Sequence, residues 1–213
     1  MSCRFELPHY AELLRAAEEG GYSFAFFDHE PQPGALLLRH DVDLALDPAL
    51  EIAELEADLG IGATYFLMTR SEFYNLDASS GEAALERLRS LGHRIGLHAV
   101  YPDATLDGRF DPVVAWHTPE PEYMTLPIDG AVNVMQPGFF DAEHYRSDSN
   151  RHWRHGCPHE QIERGEFEWL QLLVHPELWV YPGATMREAM LAMLEAERER
   201  RLDQLAASRI DLS

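Results

Sequence analysis

The chain contains no lysine, and all 17 of its basic residues are arginine. This absence excludes enzymes that form a Schiff base with lysine, phosphate-binding loops of the Walker type, and hydrolases built on a serine–lysine dyad. Each of these needs the primary amine of a lysine side chain.

Cysteine is almost absent as well, because Cys3 and Cys157 are the only two. They are far apart and form no CxxC pair, so a disulfide framework is not indicated and a reducing compartment fits best. Residues 1–10 have no apolar core of signal-peptide length, and no stretch reaches the unbroken apolar length of a membrane span. We therefore expect a cytoplasmic protein.

Positive charge is in short supply, with 37 acidic residues against 17 basic ones and a formal net charge of -20. Such a surface repels phosphate backbones and anionic membranes, which disfavours partners of both kinds. A small molecule or a carbohydrate is the expected partner, and the sequence does not indicate an oligomeric state.

Hydrophobic residues make up 46% of the chain, enough to bury one full core. In the first half, apolar runs typical of buried strands alternate with helical patterns. The predicted strands are 22–27, 35–43, 63–68 and 94–99, and the predicted helices are 9–20, 48–59 and 82–91. Alternation of this kind predicts a parallel α/β sheet.

The second half is less regular. Its strand candidates are 113–117, 131–136 and 169–174, and the polar stretch 141–164 is predicted to be a loop. A long charged helix is predicted over 185–207, with its buried side formed by Met190, Leu191, Leu194 and Leu202. The whole chain, 1–213, is interpreted as one domain, with the sheet within residues 8–180 and the helix within 184–207.

Polar residues stand where the predicted strands end. Asp41 and Asp43 end one strand, and His98, His117 and His175 end three others. In parallel α/β folds the carboxyl ends of the strands share one edge, where ligands bind. Four strands thus deliver carboxylates and imidazoles to a single edge.

Strand alternation places Asp41 and Asp43 on the same face, and it places His98 on the face opposite to His93. Two neighbouring carboxylates repel unless a cation lies beside them, and oxygen and imidazole ligands suit zinc and other first-row ions. One carboxylate can then bind the metal while the other takes a proton from water. An Asp-x-Asp sequence after a strand is also common in a turn or at a helix N-cap, and Asp47 before Pro48 is such a cap signal. The metal site is favoured over these structural roles only because the polar residues recur at the ends of four strands.

These residues lie in motifs that resemble the NodB-type polysaccharide deacetylase superfamily, closest to its short bacterial branch with an RHDVD first motif. The matching stretches are LLLRHDVD at 36–43, ATYFLM at 63–68, GHRIGLH at 92–98, WHTP at 116–119, YRSDSNRHWR at 145–154 and LQLLVHP at 170–176. The resemblance implies a single-domain irregular (β/α) barrel of about seven strands.

It also implies a metal-dependent deacetylase that acts on an N-acetylated sugar or a related small amide in surface-polysaccharide metabolism, with one divalent ion, expected to be zinc. Asp41 would be the catalytic base, Asp43 and His98 metal ligands, and His175 the general acid. Asp148 and Trp153 would support and wall the site on the substrate side, and Trp116 is a further candidate sugar-stacking face.

The chain departs from the family pattern in two places. Pro102 stands where a second histidine ligand is usual, and His117 stands where the family has an arginine. His117 is the first choice for the third ligand and Asp103 the second; alternatively, His117 orients Asp41 and does not touch the metal. A catalytically inactive, carbohydrate-binding relative is the other function that these departures allow.

Two further features receive less specific interpretations. The run His152, His155, Cys157 and His159 fits no standard zinc-finger spacing and is predicted to form a polar rim beside the site. The charged stretch that begins at Glu195 suggests a partner-binding helix, but a solvated helical face with i,i+4 pairs explains the same pattern.

Overall fold

The computed structural model describes residues 3–118 and 120–208, and its sheet has eight strands that all run parallel to their neighbours. The strands are β1 (Ser23–Ala25), β2 (Ala35–Val42), β3 (Thr64–Leu67), β4 (Arg94–Ala99), β5 (Val113–Trp116), β6 (Val132–Asn133), β7 (Tyr145–Ser147) and β8 (Leu170–Val174). Every residue of β2 is buried, which explains its continuous apolar start.

The order across the sheet is β6-β5-β4-β3-β2-β8-β7, and β1 pairs with the start of β2. The strands curl into an open half-barrel, so the structure confirms a single α/β domain with a parallel, barrel-like sheet. Because all strands are parallel, their carboxyl ends meet at one edge of the sheet.

Within the described residues, six α-helices connect and cover the strands. They are α1 (Leu7–Glu19), α2 (Leu46–Asp58), α3 (Ser79–Ser90), α4 (Pro158–Glu163), α5 (Glu177–Val180) and α6 (Met186–Ala207). Helix α2 begins two residues before the predicted start, with Ala45 as its N-cap, so Asp47 lies in the first turn and is not the cap. Its carboxylate still faces the positive end of the helix dipole.

Two hydrophobic clusters lie on opposite faces of the sheet. The larger one packs α1, α2 and α3 against alternate strand residues such as Leu36 and Leu38. The smaller one consists of strand and loop residues, including Leu37, Phe66 and Phe139. Since Arg39, Asp41 and Asp43 share the face of Leu37 by strand alternation, the smaller cluster forms the floor beneath them.

A buried carboxylate fastens the helices to the other face of the sheet. Glu56 of α2 accepts hydrogen bonds from Tyr10 of α1, from Tyr65 of β3 (2.6 Å) and from His40 of β2 (2.7 Å). All four side chains are fully buried. A buried charge requires such partners, and here they hold β2 in place directly behind Asp41.

The prediction of a loop over 141–164 is wrong, because this stretch contains β7, a 3-10 turn at Ser149–Arg151 and α4. Arg146 organises it: its guanidinium donates to the carbonyls of Ala142, Glu143 and Tyr145 and to the side chain of Gln161. These side-chain contacts, together with the pairing of β7 with β8, stabilise strand and helix in a segment with no hydrophobic periodicity. Conversely, the predicted strand 131–136 is reduced to the two residues of β6.

The predicted buried side of the C-terminal helix is also wrong in part. Ala189 and Met193, one turn apart, are buried, whereas Leu191 is 52% and Leu194 57% exposed. The helix begins at a capping box formed by Thr185 and Glu188, and its fully buried side chains lie in its first turns. Further along, Arg200 pairs with Asp47 in the first turn of α2. In the part of the chain that the structure describes, no helix is long and apolar enough to cross a bilayer.

Candidate active site

Three of the predicted metal ligands meet at the carboxyl edge of the sheet. The Nε2 atom of His98 lies 3.1 Å from Oδ1 of Asp43, and Nδ1 of His117 lies 3.3 Å from the same oxygen. The two imidazole nitrogens are 3.2 Å apart. A tetrahedral metal ion with bonds of about 2.0 Å to nitrogen and oxygen separates its ligand atoms by about 3.3 Å, so the spacing fits one ion.

The hydrogen bonds around His98 indicate where its free lone pair lies. Its Nδ1 atom is 3.1 Å from the carbonyl oxygen of Ala115, which can only accept, so Nδ1 carries the hydrogen. In the neutral imidazole, the lone pair of Nε2 then points towards Asp43. This arrangement fixes the tautomer of a histidine that binds metal through Nε2.

The facing carboxylate oxygen requires a positive charge. Oδ1 of Asp43 is buried and has no well-directed hydrogen bond from any residue that the structure describes. A proton or a cation must therefore lie between it and the imidazole lone pairs. Burial favours a raised pKa for Asp43, but His117 and His98 outweigh it and hold the pKa well below its ordinary value. The group is thus an ionised carboxylate with two imidazoles, a donor set that suits zinc or another first-row divalent ion.

The alternative third ligand, Asp103, lies elsewhere. Its carboxylate pairs with Arg70 at 3.2 Å on an exposed part of the surface. His117 and not Asp103 joins Asp43 and His98 in a group whose ligand atoms all lie within 4.8 Å of one another. The Asp43 carboxylate, 3.3 Å from Nδ1 of His117, also raises the pKa of this imidazole. Although Pro102 offers no side-chain ligand, His117 at the end of the neighbouring strand is a candidate for the third position.

Asp41 is oriented by Arg39, a residue that the sequence analysis did not single out. The guanidinium donates from Nε and Nη2 to the two carboxylate oxygens, both at 2.7 Å. Burial alone would raise the pKa of Asp41, but the charge of Arg39 lowers it. The alternative in which His117 orients Asp41 is thus not observed. Strand alternation puts Arg39 on the face of Asp41, and this was the signal that could have found it.

His175 and Asp148 form the second acid–base pair at the edge. Nδ1 of His175 donates to Oδ1 of Asp148 at 2.6 Å, and its backbone N–H binds the same carboxylate. Nε2 then faces Oδ2 of Asp43 at 3.8 Å. Burial opposes the charge of the imidazole, but Asp148 outweighs it and raises the pKa of His175 to about 10. His175 is therefore a cationic donor at neutral pH.

The three residues predicted to bind substrate do not line the cleft. Asp148 is fully buried behind His175 and also accepts from Nε1 of Trp179 at 2.8 Å. Trp116 is 3% exposed and donates to the carbonyl of Leu126, and Trp153 is 6% exposed and stacks on Phe5. Apolar area and a strong hydrogen-bond partner draw these side chains into the core, where a substrate cannot touch them.

The cleft above Asp43 has a different lining. Among its lining residues are Met68, Arg70, Phe73, Tyr101, His117, Asn150, His175 and Glu177. Phe73 and Tyr101 are 56% and 51% exposed at the rim, and the guanidinium of Arg70 lies over the Tyr101 ring at 5.6 Å. They stand in irregular loops, where the sequence carries no periodic signal that would mark them.

Glu177 is a further polar group of this cleft that sequence analysis missed. It is 2% exposed, and its Oε2 atom has no hydrogen-bond partner among the described residues. Burial raises the pKa of this carboxyl to about 7. Close to neutral pH, Glu177 can therefore hold or release a proton two residues from His175.

We compared the chain with models of protein families, with curated proteins and with solved structures, and nothing matches.

Proposed function

We propose that the chain is a metal-dependent hydrolase, a deacetylase that removes the acetyl group of an N-acetylated sugar or a related small amide. The observation that carries this proposal is the convergence of Asp43, His98 and His117 between two acid–base groups, Asp41 and His175. The motif resemblance to the NodB-type deacetylases supports it and assigns similar roles to four of these residues.

Asp43, His98 and His117 would hold one divalent ion through an oxygen and two nitrogens. When bound, such an ion supplies a Lewis acid that polarises a carbonyl and lowers the pKa of water. His98 is pre-oriented by its hydrogen bond to Ala115, so little reorganisation is needed to take up the ion.

Asp41 is suited to the role of general base. Its Oδ2 atom lies 3.5 Å from Nε2 of His98, next to the ligand atoms, and its lowered pKa keeps it ionised at neutral pH. Arg39 clamps both oxygens, so the carboxylate accepts a proton from water in a fixed direction.

His175 is suited to the role of general acid on the opposite side. Asp148 holds its Nδ1 atom, so the Nε2–H is the free donor and faces the cleft beside Asp43. A cationic imidazole at this place can protonate the amine that leaves when an amide bond is cleaved.

The lining of the cleft favours a sugar-sized substrate. The exposed ring of Phe73 suits the apolar side of a sugar ring, and Tyr101 can offer the face that Arg70 does not cover, while Asn150 offers a hydrogen-bond donor. The strongly acidic surface disfavours polyanionic substrates.

Metal binding tests the first half of the proposal. We expect the wild type and a His29→Ala control, altered at an exposed histidine, to bind about one equivalent of Zn²⁺ more than Asp43→Ala or His98→Ala. Affinity at this site should fall by more than about 100-fold, because a direct ligand matters at least as much as an outer contact. Equal metal content in wild type and both ligand variants would overturn the metal site.

Acetate release from a panel of N-acetylated sugars tests the second half and separates catalysis from mere binding. We expect Asp41→Asn to lower the rate by about 10²- to 10⁴-fold, whereas an exposed control, Asp28→Asn, leaves it unchanged. A chain that binds metal and sugars but releases no acetate would instead be the inactive, carbohydrate-binding protein that the departures at Pro102 and His117 suggest.

A further inference from the structure

A second cluster of metal-ligand side chains lies outside the cleft. It brings together Cys3, which precedes α1, His9 within α1, and Cys157 at the start of α4. Nε2 of His9 lies 3.4 Å from Sγ of Cys157, and the ligand atoms of all three residues are within 4.8 Å of one another. His9 is buried and the two cysteines are half-buried.

We propose that Cys3, His9 and Cys157 form a second metal site, selective for Zn²⁺ or another ion that prefers thiolates. Bonds of about 2.3 Å to sulfur and 2.0 Å to nitrogen place the two atoms of a tetrahedral site about 3.5 Å apart, which matches the pair of His9 and Cys157. A ligand set of sulfur and nitrogen differs in kind from the oxygen and nitrogen set of the cleft.

The contacts around the three residues are those expected of metal ligands. Nδ1 of His9 lies 3.3 Å from a carboxylate oxygen of Glu12, so Nδ1 carries the hydrogen and the Nε2 lone pair faces Cys157. Nε1–H of Trp153 donates to Sγ of Cys3 at 3.1 Å. A carboxylate on the far nitrogen of a histidine and an N–H donor on a thiolate are outer contacts that orient ligands and stabilise their charge.

A fourth ligand is within reach. His159 follows Cys157 by two residues, and its ring centroid is 5.3 Å from that of His9. His9, Glu12 and His159 also have ligand atoms within 4.8 Å of one another. We assign the fourth position to His159, which would complete a Cys₂His₂ set from three separate segments. Its ligand atoms are grouped with those of His9 and Glu12, and its Nε2 atom lies 3.4 Å from Glu163, so the ring must shift towards Cys157 to bind the same ion.

Binding of an ion to this cluster would release the thiol protons, because cysteine binds a metal as the thiolate.

The place of this cluster suggests a structural role. Phe5, two residues after Cys3, stacks on Trp153 and contacts Trp179 at 5.0 Å between ring centroids. Trp179 in turn donates to Asp148, the partner of His175. An ion on Cys3 and Cys157 would fix the N-terminal segment against this aromatic wall without touching the cleft.

Cobalt substitution of the reduced full-length chain tests the proposal. We expect Co²⁺ to give a near-ultraviolet thiolate-to-metal charge-transfer band in the wild type, in Asp43→Ala and in the control His155→Ala, whose histidine is exposed in the same loop. Cys157→Ser should lose the band, and its affinity for Zn²⁺ at this site should fall by about 100-fold or more. The Asp43→Ala arm separates this result from the fate of the cleft site.

A measurement on the unaltered chain covers the case in which Cys157→Ser fails to fold. A thiol-specific mercurial added to the zinc-loaded wild type should release one equivalent of Zn²⁺ and leave the other bound until a chelator is added. A wild type with two titratable thiols that shows neither the band nor mercurial-dependent release would overturn the proposal.

Discussion

Arg39 and Asp41 form a bidentate ion pair inside the sheet, with exposures of 1% and 4%. Lysine keeps the charge but lacks the planar fork that donates two parallel hydrogen bonds to the two oxygens. We expect Arg39→Lys to lower the rate of acetate release by about 100-fold, because a small misplacement of the base is costly. Steady-state kinetics measure this effect, with Arg94→Lys, a half-exposed arginine that also pairs with an aspartate, as the control. An unchanged rate of acetate release would show that Arg39 is not needed to position Asp41.

The pair of His175 and Asp148 predicts a pH dependence of stability in the metal-free protein. The folded state holds the His175 proton up to about pH 10, against an ordinary pKa of 6.5. The stabilisation by Asp148 is therefore complete below about pH 6.5 and is lost as the pH rises towards 10. We expect the difference in unfolding free energy between wild type and Asp148→Asn to shrink by up to about 1.4 kcal/mol per pH unit over this window.

Urea unfolding in the presence of a chelator, repeated across that pH range, measures the difference. The exposed Asp28→Asn serves again as the control and should follow the wild type at every pH. A gap between wild type and Asp148→Asn that stays constant up to pH 10 would contradict the assignment of the proton to His175.

At the scale of an element, β4 is held close to β3 by a glycine. A Cβ atom at Gly96 would lie 2.4 Å from the ring of Phe66, and the same ring supports the guanidinium of Arg39 at 5.4 Å. We expect Gly96→Ala to destabilise the fold by about 1–3 kcal/mol, as overpacking does, and to weaken metal binding because β4 also carries His98.

Thermal unfolding and metal titration check this expectation. Gly108→Ala is the matched control, because a Cβ at that exposed position meets nothing within 4 Å. Equal stability and equal metal affinity for both alanine variants would show that β4 tolerates the extra methyl group, and that the close packing on Phe66 is not required.

Elements whose folding depends on local pattern could be predicted from sequence, and those that depend on distant partners could not. The long apolar run of β2 and the helices that end at glycines are examples of the first kind. Strand β7 and helix α4 are examples of the second, because β7 pairs with β8 and α4 packs against α1, and both partners are distant in sequence. The exposed Leu191 and Leu194 show the converse, since apolar spacing in α6 does not guarantee a surface to pack against.

For the whole molecule, parallel topology is the reason that much of the candidate site was accessible to sequence reasoning. Once four strands are parallel, Asp43, His98, His117 and His175 must approach one edge. Strand alternation also predicts that Arg39 shares the face of Asp41, but the sequence analysis overlooked this residue. The cluster of Cys3, His9 and Cys157 had no such signal, because its members are joined by about 150 residues of chain whose path only the tertiary structure reveals.

The carboxylate of Glu56 restricts how the strand that carries Asp41 and Asp43 can be reused. Its partner His40 belongs to that strand and points into the helical side of the core, between two tyrosines. If residues 39–43 alone were grafted onto another parallel sheet, the imidazole of His40 would lie in an aliphatic interior without a hydrogen-bond acceptor. The portable unit for protein engineering is therefore the strand together with Glu56, Tyr10 and Tyr65, a module assembled from four separate secondary-structure elements.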